Sequence, residues 1–262
     1  LRISQSALSI QLKKLEESLG VALFEREHKS LKLTEEGRIA MDYAETIFRA
    51  GDEMLGTLTH RSGAYRQALR VGSVATLSRN FQFDLLRGMM HDTQVEVIVH
   101  SGSLSELLAR LDAHTLDVVL SNQPAQRDSV SRLQSKLIKE QPVSLVGRPR
   151  PTRKRPFQFP EDLREETLIL PTVETSIRNA FDLLLRETGV RPLIAAEVDD
   201  MAMLRLFARD SSGLTLVPTV VVQDELKSGM LVEHHRIDEI RESFYAITAV
   251  RRYPNPLLAK LI

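Results

Sequence analysis

The chain has 262 residues, enough for two or three domains, and contains no cysteine, which excludes disulfide bonds and thiolate metal sites. Lys and Arg number 35, as do Asp and Glu, so a net charge of zero gives no whole-protein argument for binding nucleic acid. No run is apolar and long enough to span a membrane, and no signal-peptide pattern precedes the first helix, so we expect a cytoplasmic protein.

The stretch SQSALSIQLKKLEESLG (4–20) predicts a helix with a leucine face. Ser4 is a suitable N-cap and Gly20 a suitable C-terminal stop. The leucines recur on one face, at Leu8, Leu12, Leu15 and Leu19. Away from them, Ile10 would suit contact with a thymine methyl group, although single exposed apolar residues are common. The candidate DNA contacts in this helix are Ser4, Gln5, Ser6, Ser9, Ile10 and Lys13.

Two strand-like pieces, 22–26 and 31–33, flank a polar turn with His28 and Lys29, which we add to the candidate DNA contacts. A helix followed by a basic hairpin is typical of a winged helix-turn-helix. Several short motifs, in this order along the chain, resemble the signature of LysR-type transcriptional regulators: the opening SQSALS, the pairs LE (15–16) and LG (19–20), LFER (23–26) and LTEEG (33–37). In that family about thirty residues precede this point. The resemblance therefore implies that residues 1–33 are the C-terminal part of a truncated DNA-binding domain.

Residues 34–64 predict a linker and dimerisation helix that begins after Thr34 and runs to about Leu58. A heptad seam follows the helix, formed by Ala40, Ala44, Ile47, Gly51, Met54 and Leu58. The seam could pack against the chain's own body, or against a second copy. The family resemblance implies the second, in which two heads reach two half-sites on double-stranded DNA.

From residue 65 to 262 strands and helices alternate, which predicts α/β architecture with parallel units. The predicted strands are 69–74, 95–101, 116–122, 136–146, 168–171, 193–198, 214–218 and 244–252. The predicted helices are 77–91, 104–114, 176–188 and 200–209, with a short one after 218. We expect two lobes, lobe I at about 65–148 and 240–262 and lobe II at about 149–239, with a ligand cleft between them. The resemblance implies a LysR-type effector domain, similar to periplasmic binding proteins.

Within the family, four segments look closest to NhaR-type activators of sodium/proton antiporter genes: VGSVATLSR (71–79), LDVVLSNQP (116–124), EVDDMAMLRLFA (197–208) with LVPT (216–219), and FYAITAVRR (244–252). This resemblance implies activation of transcription in response to sodium. The composition and spacing of the chain carry no sign of sodium sensing.

Effector contacts are expected where strands end, because ligands of open α/β sheets bind at the carboxyl ends of the strands. The candidates are Val74, Ala75, Thr76, Ser78, Ser101, Gly102, Ser103, Ser121, Asn122, Thr172, Glu174, Thr175, Ser176, Asp199, Asp200, Pro218 and Thr219. Hydroxyl groups at helix N-termini suit a small anion, whereas Glu174, Asp199 and Asp200 would suit a hard cation. Alternatively, Ser103, Ser176, Thr219 and the two aspartates only cap helices.

No Walker A, G-x-G-x-x-G, H-E-x-x-H or G-x-S-x-G motif occurs, so we predict a binding protein with no cofactor and no metal site rather than an enzyme. The main hypothesis is a DNA-binding regulator of LysR type, controlled by a small effector or cation and self-associating as a dimer or tetramer. The alternative is a solute-binding or carrier protein of periplasmic-binding-protein type with a helical front. Specific binding to operator DNA distinguishes the two.

Overall fold

The computed structural model describes residues 4–27, 30–59, 66–126, 132–150, 155–251 and 254–262. The chain divides into two compact units, Leu1–Tyr65 and Arg66–Ile262. In the described part of the chain, no helix combines the length and the apolar character that crossing a membrane requires.

The described residues of the first unit form two helices and a hairpin. Helix α1 spans Gln5–Leu19, strands β1 (Phe24–Glu27) and β2 (Ser30–Leu33) pair antiparallel, and helix α2 spans Glu35–Thr59. Ser4 caps α1 by accepting from the Ala7 amide at 3.3 Å, and Gly20 ends it in the left-handed conformation. The predicted helix–hairpin–helix order is therefore observed.

The residues of the LTEEG and LE motifs clamp the start of the hairpin. Glu16 Oε1 accepts from the amides of Leu23 and Phe24 at 2.7 and 3.0 Å. Thr34 caps α2 by accepting from the Gly37 amide at 2.9 Å, while its hydroxyl donates to the Ala22 carbonyl oxygen at 2.7 Å. A Cβ at Gly37 would lie 1.9 Å from the Leu23 carbonyl oxygen, so only glycine permits this approach. The motif is thus a set of contacts that fix the hairpin on both helices.

The second unit is built on one eight-stranded mixed sheet. Its strands are β3 (Gln67–Val74), β4 (Val95–Gly102), β5 (Val118–Ser121), β6 (Leu133–Gly147), β7 (Thr167–Pro171), β8 (Leu193–Val198), β9 (Leu214–Pro218) and β10 (Val232–Ala249). Their spatial order is β4-β3-β5-β10-β6-β9-β7-β8. The strands β3, β4 and β5 are parallel in one lobe, and β7, β8 and β9 are parallel in the other.

The long strands β6 and β10 join the two lobes. They pair antiparallel along most of their lengths, β10 also pairs with β5, and β6 also pairs with β9. The predicted parallel units are observed within each lobe, and an antiparallel pair of strands links the two lobes. The predicted last strand at 244–252 is too short, since β10 begins at Val232; the expected lobe boundary at residue 240 falls inside it.

The helices of the second unit pack on the sheet, and side chains of both helices and strands form the apolar core. They are α3 (Arg79–Leu86), α4 (Leu104–Asp112), α5 (Ser176–Thr188), α6 (Met201–Asp210), α7 (Gln223–Ser228) and α8 (Leu258–Leu261), with 3-10 turns at Glu161–Glu165 and Thr219–Val222. The predicted helix at 77–91 is too long. Beyond Leu86 the chain continues in turns, with the Met89 amide donating to the Leu86 carbonyl, and Gly88 is a poor helix former.

Candidate functional site

Most of the candidate DNA-contacting side chains on α1 that the structure describes are exposed. Ile10 is 58% exposed, and Ser6 and Ser9 are also open to solvent. Lys13 pairs with Glu17 at 3.8 Å along the helix surface, a weak interaction between exposed groups. The Ser4 hydroxyl lies 3.0 Å from that of Ser6. The Gln5 side chain, His28 and Lys29 lie outside what the structure describes.

The seam of α2 exposes large apolar side chains. Ile47 is 68% exposed and Met54 55%, while Ala40, Ala44 and Gly51 are half-buried. Phe48, beside the seam, is 75% exposed. The side chain of Leu58 lies outside the described set. A helix surface of this kind is the type that a second helix covers.

In lobe I the candidate effector residues lie at the carboxyl ends of β3, β4 and β5 and on the loops that follow them. Val74 and Ser121 are buried, Thr76, Gly102 and Asn122 are half-buried, and Ala75, Ser101 and Ser103 are exposed. The start of α3 is linked to the end of β4, because the Arg79 guanidinium donates to the Ser101 hydroxyl at 3.1 Å.

Three hydroxyl groups in lobe I are occupied by local bonds. The buried Ser78 accepts from the Phe81 amide at 3.4 Å and caps α3, while Ser103 accepts from the Glu106 amide at 3.3 Å and caps α4. Ser121 accepts from the Gln123 amide at 3.0 Å. The capping alternative therefore holds for Ser103.

In lobe II the caps differ from those expected. Thr175, not Ser176, caps α5 by accepting from the Arg178 amide at 3.3 Å, because Ser176 is already the first helical residue. Asp200 caps α6 by accepting from two backbone amides. Thr219 begins the 3-10 turn after the buried Pro218 and makes no capping bond. The remaining candidates are Thr172, which is half-buried, and Glu174 and Asp199, which are exposed.

Side chains that the sequence did not single out tie the two lobes together at this edge. Asn80, at the start of α3, donates to the carbonyl oxygens of Val220 and Val221 at 3.0 and 3.2 Å. Arg205 of α6 donates to Asn80 Oδ1 at 3.3 Å and to Glu225 Oε1 at 2.8 Å. The start of α3 in lobe I and the 3-10 turn after β9 in lobe II are therefore held against each other, next to candidate residues of both lobes.

A buried acid lies close to the same edge. Glu242 on β10 is 2% exposed, and its burial raises its pKa to about 7, while a hydrogen bond with Asn122 acts in the opposite direction. Two residues further on, Phe244 stacks on Phe81 of α3 with ring centroids 4.1 Å apart. Glu242 was not predicted from the sequence. Among the described residues, no group of three or more His, Asp or Glu side chains could hold a metal ion.

Comparisons with known proteins match this architecture unit by unit. Residues 62–262 match the family model of the LysR substrate binding domain. Residues 1–38 match that of the bacterial regulatory helix-turn-helix protein, lysR family. The chain belongs to the LysR family of transcriptional regulators. The predicted fold class and general function are confirmed: a helix-turn-helix unit for DNA and a two-lobed α/β domain for an effector.

Three LysR-family proteins illustrate the relationship. The transcriptional activator protein NhaR of Escherichia coli K12 is 25% identical over 262 residues, which is all of this chain and 86% of that protein. Full-length OxyR from Pseudomonas aeruginosa superposes with a TM-score of 0.63 at 20% identity, over 99% of this chain and 84% of that one. DarR of Vibrio fischeri, solved in complex with DNA, gives a TM-score of 0.58 at 19% identity, over 99% and 88%. These two structural likenesses show the fold alone.

Proposed function

We propose that this LysR-type regulator is a transcriptional activator, controlled by a small effector or cation bound in the cleft between its lobes. The observation that carries the proposal is the contact of Asn80 with the Val220 and Val221 carbonyls, which holds the start of α3 in lobe I against the 3-10 turn of lobe II, next to candidate residues of both lobes. A ligand seated there would contact both lobes, and it would favour the lobe arrangement that it binds more tightly. Similarity to the activator NhaR supports an activating role. The sodium response that the sequence resemblance implies makes sodium the first effector to test.

The proposed division of labour follows the chain. Residues 1–33 belong to the DNA-binding head, 34–64 to the linker helix and 65–262 to the effector domain. The exposed face of α1 around Ile10 would read base edges, and the seam around Ile47 would pair two copies as a dimer, or as part of a tetramer. Such a regulator would act in the cytoplasm, where its DNA lies.

The effector site would be formed by the loop residues named above, from Val74 to Thr219. Hydroxyl-bearing helix N-termini in both lobes suit a small anion. Because Ser78, Ser103, Thr175 and Asp200 already cap helices, their remaining contribution is the positive end of each helix rather than a free side chain.

The test is binding of the complete regulator to labelled DNA from upstream of its own gene, followed by fluorescence anisotropy in sodium chloride and in potassium chloride at matched ionic strength. Counterion release weakens binding equally in the two salts, so any difference in affinity or footprint reports specific sensing. The Asn80→Ala variant should keep operator binding and change its salt response. Specific binding that is identical in both salts and in both proteins would reject cation control and direct the search to organic acids.

A further inference from the structure

Glu242 lacks a partner for one of its carboxylate oxygens. Within the described ranges its Oε2 accepts no hydrogen bond, although the residue is 2% exposed. An unsatisfied oxygen at such depth costs free energy unless a proton or a cation meets it.

A second unsatisfied oxygen lies directly across the strand pair. Gln141 of β6 is the register partner of Glu242, is 9% exposed, and its Oε1 also has no hydrogen-bond partner within the described ranges. Side chains of directly opposed residues in an antiparallel pair share one face of the sheet, with Cβ atoms roughly 5 Å apart. Two oxygens without a hydrogen-bond partner among the described residues therefore lie on the same buried face of the sheet.

The surrounding charges limit what can bind there. Burial raises the pKa of Glu242, the hydrogen bond with Asn122 opposes that rise, and neither cause is a charged neighbour. The adjacent Arg241 is exposed, and the exposed Glu140 accepts from Ser243, which pairs with it on the opposite face. Lys139 lies further along β6 on the Gln141 face but is exposed. One isolated carboxylate balances one positive charge, so a divalent ion would leave a net charge buried.

We propose that Glu242 and Gln141 form a buried site for a hard monovalent cation, which replaces the proton of the Glu242 carboxyl group while Asn122 donates to the carboxylate. Carboxylate and carbonyl oxygens are the ligands that hard cations prefer. The site is on β10, which joins the lobes, and Asn122 follows β5 at the edge of the sheet where the candidate loops lie. This inference rests on the proposed effector cleft and names the chemical class of its ligand.

The decisive experiment measures proton displacement at Glu242 in the complete regulator. The side-chain carboxyl signals are followed by NMR against pH in protein labelled with 13C-glutamate, and the Glu242 signal is assigned by its loss in Glu242→Gln. Titrations are compared in choline chloride, sodium chloride, potassium chloride and calcium chloride at equal ionic strength. A cation at about nine times its dissociation constant lowers the apparent pKa by about one unit, because it competes with the proton.

A lower pKa of Glu242 in sodium or potassium chloride than in choline chloride is the expected result. Gln141→Leu should abolish that difference, whereas the matched surface variant Glu140→Gln should retain it. An identical pKa in all salts would overturn the proposal and indicate that Gln141 turns its amide N–H to the carboxylate. Lowering by calcium alone would also overturn it.

Operator binding is measured separately on the same variants. If the unmodified protein does not bind operator DNA, the proposed function is rejected, while the carboxyl titration still decides whether the cation site exists.

Discussion

The buried carboxyl group of Glu242 should make the stability of the effector domain depend on pH in a defined direction. The perturbation is Glu242→Gln, which keeps the shape of the side chain but removes the ionisation. Glu140→Gln is the matched control, because Glu140 is an exposed acid on the neighbouring strand.

The magnitude follows from the raised pKa of about 7, against an ordinary value of 4.5. A raised folded-state pKa means that the folded protein binds the proton more tightly than the unfolded chain does. The associated stability is therefore fully present below pH 4.5, is lost as pH rises from 4.5 to 7, and does not change further above that range. With about 1.4 kcal/mol for each pKa unit, the ionised group costs the folded protein about 3 kcal/mol above pH 7.

The assay is urea denaturation, followed by circular dichroism, in sodium-free choline chloride between pH 5.5 and pH 8. Over that interval the stability of the unmodified protein should fall by about 2 kcal/mol relative to Glu242→Gln, because only the unmodified protein must ionise a buried group. Glu140→Gln should follow the unmodified protein at every pH. A stability difference between Glu242→Gln and the unmodified protein that does not vary with pH would refute the reasoning.

Three further predictions concern the first unit. Gly37→Ala places a Cβ against the Leu23 carbonyl oxygen and should destabilise the unit by about 1–3 kcal/mol, measured by thermal unfolding; an unchanged midpoint would contradict this contact. Ser9→Ala and Ile10→Ala should weaken specific operator binding in anisotropy assays by about tenfold while circular dichroism stays unchanged, and undiminished affinity in both would remove these residues from the interface. Ile47→Glu, which puts a charge on the exposed seam, should convert dimers to monomers in sedimentation velocity, and an intact dimer would reject the seam as the pairing surface.

Local sequence signals predicted lobe II well. Helix α5 begins at Ser176 and ends at Thr188, as predicted, because Gly189 stops it in the left-handed conformation. Strands β8 and β9 also have the predicted limits. Each of these elements is bounded by proline, glycine or a capping residue, so the neighbouring residues predict where the element begins and ends.

Features that depend on pairing between strands distant in the sequence were not predicted. The first half of β10 has the polar sequence EHHRIDEIRE (233–242), which carries no apolar alternation, and it becomes a strand because it pairs with β6. For the same reason Glu242, between Arg241 and Ser243, looked like a surface residue, whereas it pairs with Gln141 of β6 and is buried. The cap at Thr175 was missed for a smaller reason: helix ends are uncertain by a residue when Thr and Ser are adjacent.

Because β10 and β6 lie between the parallel strands of the two lobes, a change at Glu242 acts on the strands that link them. The pairing of β10 with β6 shifts register between Ile237 and Arg241, immediately before the buried acid, so the strand is already irregular there. If ionised Glu242 cost roughly 3 kcal/mol in one lobe arrangement and nothing in the other, that difference would change the ratio of the two arrangements about a hundredfold. Glu242→Gln should then keep operator binding at its sodium-free level at every sodium concentration. A Glu242→Gln variant whose operator binding still responded to sodium would place the sensor elsewhere in the cleft.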